Sequence, residues 1–173
     1  MAINDILTEE KATGLEIERL CMSDIEAAQA MVQEIALEAL ALDNTGRAQS
    51  AAYARLICRF LLHKKCKSRL AQLLTENETL TTAVFGKLNT YKYSIIFLLK
   101  RILRLNNTAL TQRVLELIKE NPFEDSEAKP WSDRFSLGFI ITQALEAPED
   151  YLNLSEENRA VIDSFLNNNG SSQ

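Results

Sequence analysis

Histidine and tryptophan occur once each in these 173 residues, proline and cysteine three times each, and glycine five times. So few turn-forming residues argue against a β fold, which needs many tight turns, and the abundance of Leu, Ala and Glu favours helix. An odd, sparse set of cysteines suits a reducing compartment better than a disulfide framework. No long hydrophobic run is present. The longest, residues 95–99, is cut by Lys100 and Arg101, far short of the ~18–20 apolar residues that span a bilayer. The chain opens without a basic stretch followed by an apolar core, so no secretory signal is read. The expectation is a soluble, cytoplasmic protein that makes no membrane contact.

The same scarcity bears on chemistry. The single histidine is His63, and no serine or cysteine sits in a nucleophile motif. There is no glycine-rich phosphate loop and no metalloprotease or acidic metal motif. Cys21, Cys58, His63 and Cys66 are four residues of zinc-ligand type, but their spacing is not that of a finger, and a free cysteine commonly serves as a small buried hydrophobe. The reading is non-enzymatic, with no cofactor and no metal.

What is present is helical period. Residues 23–26 (Ser-Asp-Ile-Glu) have the form of a capping box with Ser23 as cap. After them Ile25, Ala28, Val32, Ile35, Ala36 and Ala39 recur on one face. A second helix is expected over 47–65, with Tyr53, Leu56, Ile57, Phe60 and Leu61 inward, and a short one over 68–74. A weaker helix follows over 77–88. The next, over 90–105, is apolar enough to be surrounded by its neighbours, with Phe97 among its core residues. A strand over 91–99 is the alternative, set aside because no partner strand is apparent. Thr108 is the expected cap of the following helix, which Asn121-Pro122 stops. A loop over 121–131, a helix over 132–146 ended by Pro148, and a last helix capped by Ser155 complete the chain. The fold class is all-α, a single compact helical bundle of about six to eight helices. Residues 1–22, interrupted at Gly14, form an N-terminal helical appendage. Residues 23–166 form the bundle, and 167–173 a disordered tail.

The charge is unevenly placed. Residues 47–119 hold fourteen bases against three acids, while the flanks 1–46 and 120–173 are each −8, giving −5 overall. Such segregation points to a polyanionic partner. The alternative is that the acidic ends fold back and neutralise the middle. The candidate nucleic-acid-binding residues form two sets. The first is Arg55, Arg59, Lys64, Lys65, Lys67 and Arg69. The second is Lys87, Lys92, Lys100, Arg101 and Arg104, with Tyr91 and Tyr93 beside it as possible stacking groups or core fillers. No base-reading motif is present, so sequence-independent backbone contact is the expected mode.

Near the C-terminus residues 134–143 read Arg-Phe-Ser-Leu-Gly-Phe-Ile-Ile-Thr-Gln. This stretch resembles the aromatic–Leu–Gly–aromatic helix in the C-terminal helical domains of large CRISPR effector subunits, which in turn resemble the small subunits of those complexes. The resemblance implies a protein subunit of a larger assembly that holds nucleic acid through basic side chains. Those would be the eleven named above. The competing reading is a protein-binding adaptor or chaperone-like helical module whose basic face meets an acidic partner.

Overall fold

Apolar residues at helical spacing bury one stripe per segment, and the chain folds by bringing those stripes together. The computed structural model describes residues 3–42, 47–88, 92–120 and 137–171. Among them are ten α-helices and no strand: α1 (Ile3–Ser23), α2 (Ile25–Ala41), α3 (Arg47–Leu61), α4 (Leu70–Glu76), α5 (Glu78–Thr82), α6 (Lys92–Arg104), α7 (Thr108–Glu120), α8 (Leu137–Ala144), α9 (Pro148–Leu152) and α10 (Glu156–Ser171). A 3₁₀ turn, Lys64–Arg69, joins α3 to α4, and a π turn, Ala83–Lys87, extends α5. The all-α reading is therefore correct, with two or more helices beyond the expected number. The helix that the residue-by-residue reading lacks is the single turn of α9. The expected separation of the helices over 68–74 and 77–88 falls at Asn77, whose side-chain amide donates to the Leu73 carbonyl at 2.8 Å. No helix among the described residues is long and apolar enough to cross a membrane.

One continuous core runs through the molecule. Its largest fully buried side chains include Phe60, Phe85, Ile95, Leu98, Ile102 and Leu103. Ile17 and Cys21 of α1 lie in that same core with Ala28, Val32 and Ala36 of α2, so the segment set apart by sequence as an appendage shares the bundle's interior. Small residues on α2 let its neighbours approach closely. Helix α1 also runs unbroken through Gly14, which the sequence marks as an interruption. Gly14 is buried because the Arg59 side chain of α3 lies across it, and a Cβ added there would overlap Arg59 Nη1. Packing thus overrides the weak intrinsic propensity of glycine.

Several boundaries differ from the sequence reading by a residue or a turn, each for a local reason. Ser23 is the last residue of α1, where its hydroxyl donates to the Arg19 carbonyl at 2.9 Å. The cap of α2 is Asp24, whose Oδ1 accepts from the Ala27 N–H at 3.2 Å. Asn107, not Thr108, caps α7 by accepting from the Leu110 N–H at 3.1 Å. It can do so because Asn106 takes the left-handed conformation, with φ 52°, that asparagine tolerates. Pro148 opens α9 instead of closing α8. It occupies the first helical turn, where its missing N–H is no loss. Ser155 caps α10 as expected, accepting from the Asn158 N–H at 3.2 Å. The helix then continues to Ser171, past the boundary at 166, since adding residues to an existing helix needs no new nucleus. The proline-containing loop over 121–131 and the start of the helix expected from 132 fall outside the described residues.

Candidate nucleic-acid interface

A basic residue can serve a polyanion only where the fold has not already engaged it, and the candidates divide on that point. On α3, Arg55 forms a forked pair with Glu10 of α1, its Nε lying 3.0 and 2.9 Å from the two carboxylate oxygens. One turn on, Arg59 Nε meets Glu18 at 3.0 Å. Glu10, Gly14 and Glu18 are four residues apart and share one face of α1. The cationic stripe of α3 and the acidic stripe of α1 are therefore one interface inside the molecule.

The second set is engaged in a different way. Lys87 Nζ donates to the carbonyl of Leu42 at 2.5 Å, closing the end of α2. Arg101 Nη1 donates to the Leu62 carbonyl at 2.7 Å, doing the same for α3. The last carbonyls of a helix have no partner within it, and a cation suits them both as donor and as charge. Lys100 and Arg104, one turn apart on α6, hold the Asp150 carboxylate of α9 at 3.2 and 2.8 Å. That carboxylate is only 3% exposed and also accepts from the Ala147 N–H at 3.3 Å. The Arg104 guanidinium holds its pKa below the usual carboxylate value. Burial opposes that effect and Lys100 adds to it.

Four candidates remain together. Lys64, Lys65, Lys67 and Arg69 lie on the single 3₁₀ turn after α3, and none makes an ion pair among the described residues. The sequence carries α3 on to Lys65, but the helix stops at Leu61. His63 then caps the turn, its Nδ1 accepting from the Lys65 N–H at 3.1 Å. Cys66 points into the core and is fully buried, as is Leu70 just beyond. With those two anchored inward, the three lysines are left exposed. The Arg101–Leu62 bond brings Arg101 of the second set to the chain two residues before Lys64. The side chains of Lys92 and Tyr93, and all of Tyr91, lie outside the described residues.

One residue was assigned wrongly by sequence. Phe97 is 63% exposed and not part of the core. Ile95, Leu98, Leu99, Ile102 and Leu103 are the buried face of α6. Phe97 lies opposite them, one turn before Lys100 and Arg101 and two before Arg104. The signal was present: an aromatic spaced by three, four and seven residues from cations must share their outward side.

The possible zinc ligands are not brought together as a set. Cys21 and Cys66 are in side-chain contact, but Cys58 is separately buried, and burial pushes its thiol up to about 12. His63 is used as the cap. Among the described residues no group of three or more histidine, cysteine or carboxylate side chains is placed to hold a metal. Of the described residues of the aromatic–Leu–Gly–aromatic stretch, Leu137, Ile140 and Ile141 are buried in the core. Compared with known proteins, the chain matches no family model, no curated protein and no solved structure.

Proposed function

We propose that this protein is a non-catalytic nucleic-acid-binding module that contacts the phosphate backbone through the Lys64–Arg69 turn and acts as a subunit of a larger assembly. The observation that carries this reading is the contrast in use of the basic residues. Arg55, Arg59, Lys87, Lys100, Arg101 and Arg104 are engaged within the fold, whereas four cations stand together on a turn anchored from inside and make no ion pair among the described residues. A footprint of about four phosphates predicts a logarithmic salt slope near −3 for a single strand, at roughly 0.7 per phosphate. Fluorescence anisotropy with labelled oligonucleotides over a salt series measures it. The variant Lys64→Glu/Lys65→Glu/Lys67→Glu is expected to lose at least tenfold in affinity at low salt. An Arg113→Gln control, which removes a surface pair with Glu78 on another part of the molecule, should retain it. Absence of binding by the wild-type protein at low salt would end this reading.

A second reading, a protein-binding adaptor, draws on a different set of residues. A groove of about 280 Å³ between α1, α2 and α3 has Met31, Ile35 and Leu56 in its lining and Glu9, Glu34 and Glu38 among them. An apolar surface beside carboxylates suits a basic peptide segment. Chemical cross-linking in whole-cell extract would separate the two readings, by recovering either nucleic acid on the lysine turn or a basic protein on α1 and α2.

A further inference from the structure

Given backbone contact at the Lys64–Arg69 turn, we infer that the strand bound there is single and that Phe97 is the surface on which one of its bases stacks. Phe97 is the most exposed aromatic side chain among the described residues, and its surroundings are cationic. Lys100, Arg101 and Arg104 follow it on the same side of α6, with Lys100 and Arg104 still 31% and 57% exposed. Asp150 neutralises one of these three charges, and Glu149 lines the crevice beside Arg104. Arg101 keeps its full charge because its partner is a neutral carbonyl. That same bond ties α6, which carries Phe97, to the chain two residues before the turn whose cations make no ion pair among the described residues. An apolar ring set among cations suits neither water nor another apolar surface. It suits a ligand that carries flat π faces and negative charge in alternation.

An unpaired nucleotide strand has that chemistry. In a duplex the base faces are already stacked on one another and only phosphates and groove edges are offered, so an exposed phenyl ring gains nothing from it. In a single strand a base can lie on Phe97 while neighbouring phosphates reach the lysine turn. Base–aromatic stacking tolerates any sequence, in keeping with the absence of a base-reading motif.

The experiment compares a labelled 15-nucleotide oligo(dT), oligo(rU) and a 15-base-pair duplex, titrated with wild type, Phe97→Ala, Phe97→Tyr and the triple lysine-turn variant. Thermal melts would establish that each variant is folded. The wild type is expected to favour single strands over the duplex. Phe97→Ala should weaken single-strand binding about 5- to 150-fold and leave duplex binding unchanged. Phe97→Tyr should restore it. If Phe97→Ala binds single strands as wild type does while the lysine-turn variant does not, the stacking role is wrong and the backbone reading stands. Equal affinity for duplex and single strand would overturn it as well. If the wild type binds no nucleic acid, both fall, and Phe97 is left as a contact for a protein.

Discussion

Replacing Gly14 by alanine sets two effects of similar size against each other, and the structure decides the sign. Gly14 lies mid-helix in α1, where alanine is favoured over glycine by about 0.8–1 kcal/mol. Opposing this, the new methyl would overlap Nη1 of Arg59 and press on its Cζ. Those atoms are the far end of a flexible side chain, so the guanidinium can swing away. The loss is then bounded by its pair with Glu18. The two side chains are 39% and 46% exposed, and solvent-exposed pairs of this kind contribute about 0.2–1 kcal/mol. Gly14→Ala is therefore expected to lie between neutral and about 1 kcal/mol more stable than wild type. Urea unfolding followed by circular dichroism should show an unchanged or higher midpoint at constant slope. In an Arg59→Ala background the obstruction is gone and the full gain of about 1 kcal/mol should appear. The difference between backgrounds measures the coupling. A loss of more than about 1 kcal/mol in the wild-type background, recovered with Arg59→Ala, would refute the premise that Arg59 yields.

Two further predictions concern the core and the buried carboxylate. Phe85 is fully buried and Phe97 is 63% exposed, so Phe85→Ala should cost about 3–5 kcal/mol. Phe97→Ala should stay within about 0.5 kcal/mol of wild type, and chemical denaturation checks both; equal losses would contradict the burial pattern. For Asp150, the folded carboxyl lies below its ordinary pKa because Arg104 donates to it. The associated stability is present above the unfolded value near pH 3.9 and is lost as pH falls through the lower, folded value. Asp150→Asn should lower the denaturation midpoint at pH 7 and flatten the decline of stability below pH 4, as read from a pH series; parallel curves for the two proteins would count against a paired carboxylate.

The features legible in the sequence are those whose cause is local. Helical period in residues such as Ile25, Ala28, Val32 and Ile35 declares which face of α2 is apolar, because the period is a property of a few consecutive turns. The cap at Ser155 is legible for the same reason. Where two adjacent residues could both cap, as at Ser23 and Asp24 or at Asn107 and Thr108, sequence could not choose. The backbone entering the helix decides which oxygen reaches the free N–H groups. The single turn of α9 has no apolar period to read, since it exists to bring Asp150 to α6.

For the candidate interface, composition determined that cations were concentrated in the middle of the chain and acids at its ends. It could not determine which cations the acids would take. Glu10 meets Arg55 across 45 residues, Glu18 meets Arg59 across 41, and Asp150 meets Arg104 across 46. Such pairs form only when helices distant in sequence are packed side by side. The outward side of Phe97, by contrast, was legible from its spacing to Lys100, Arg101 and Arg104. By itself the sequence determined that the chain is helical, which residues could be buried and how much charge there was to place. Tertiary packing alone decided which charges cancel and which stay in solvent, because ion pairing and burial depend on distances in space that chain order does not set.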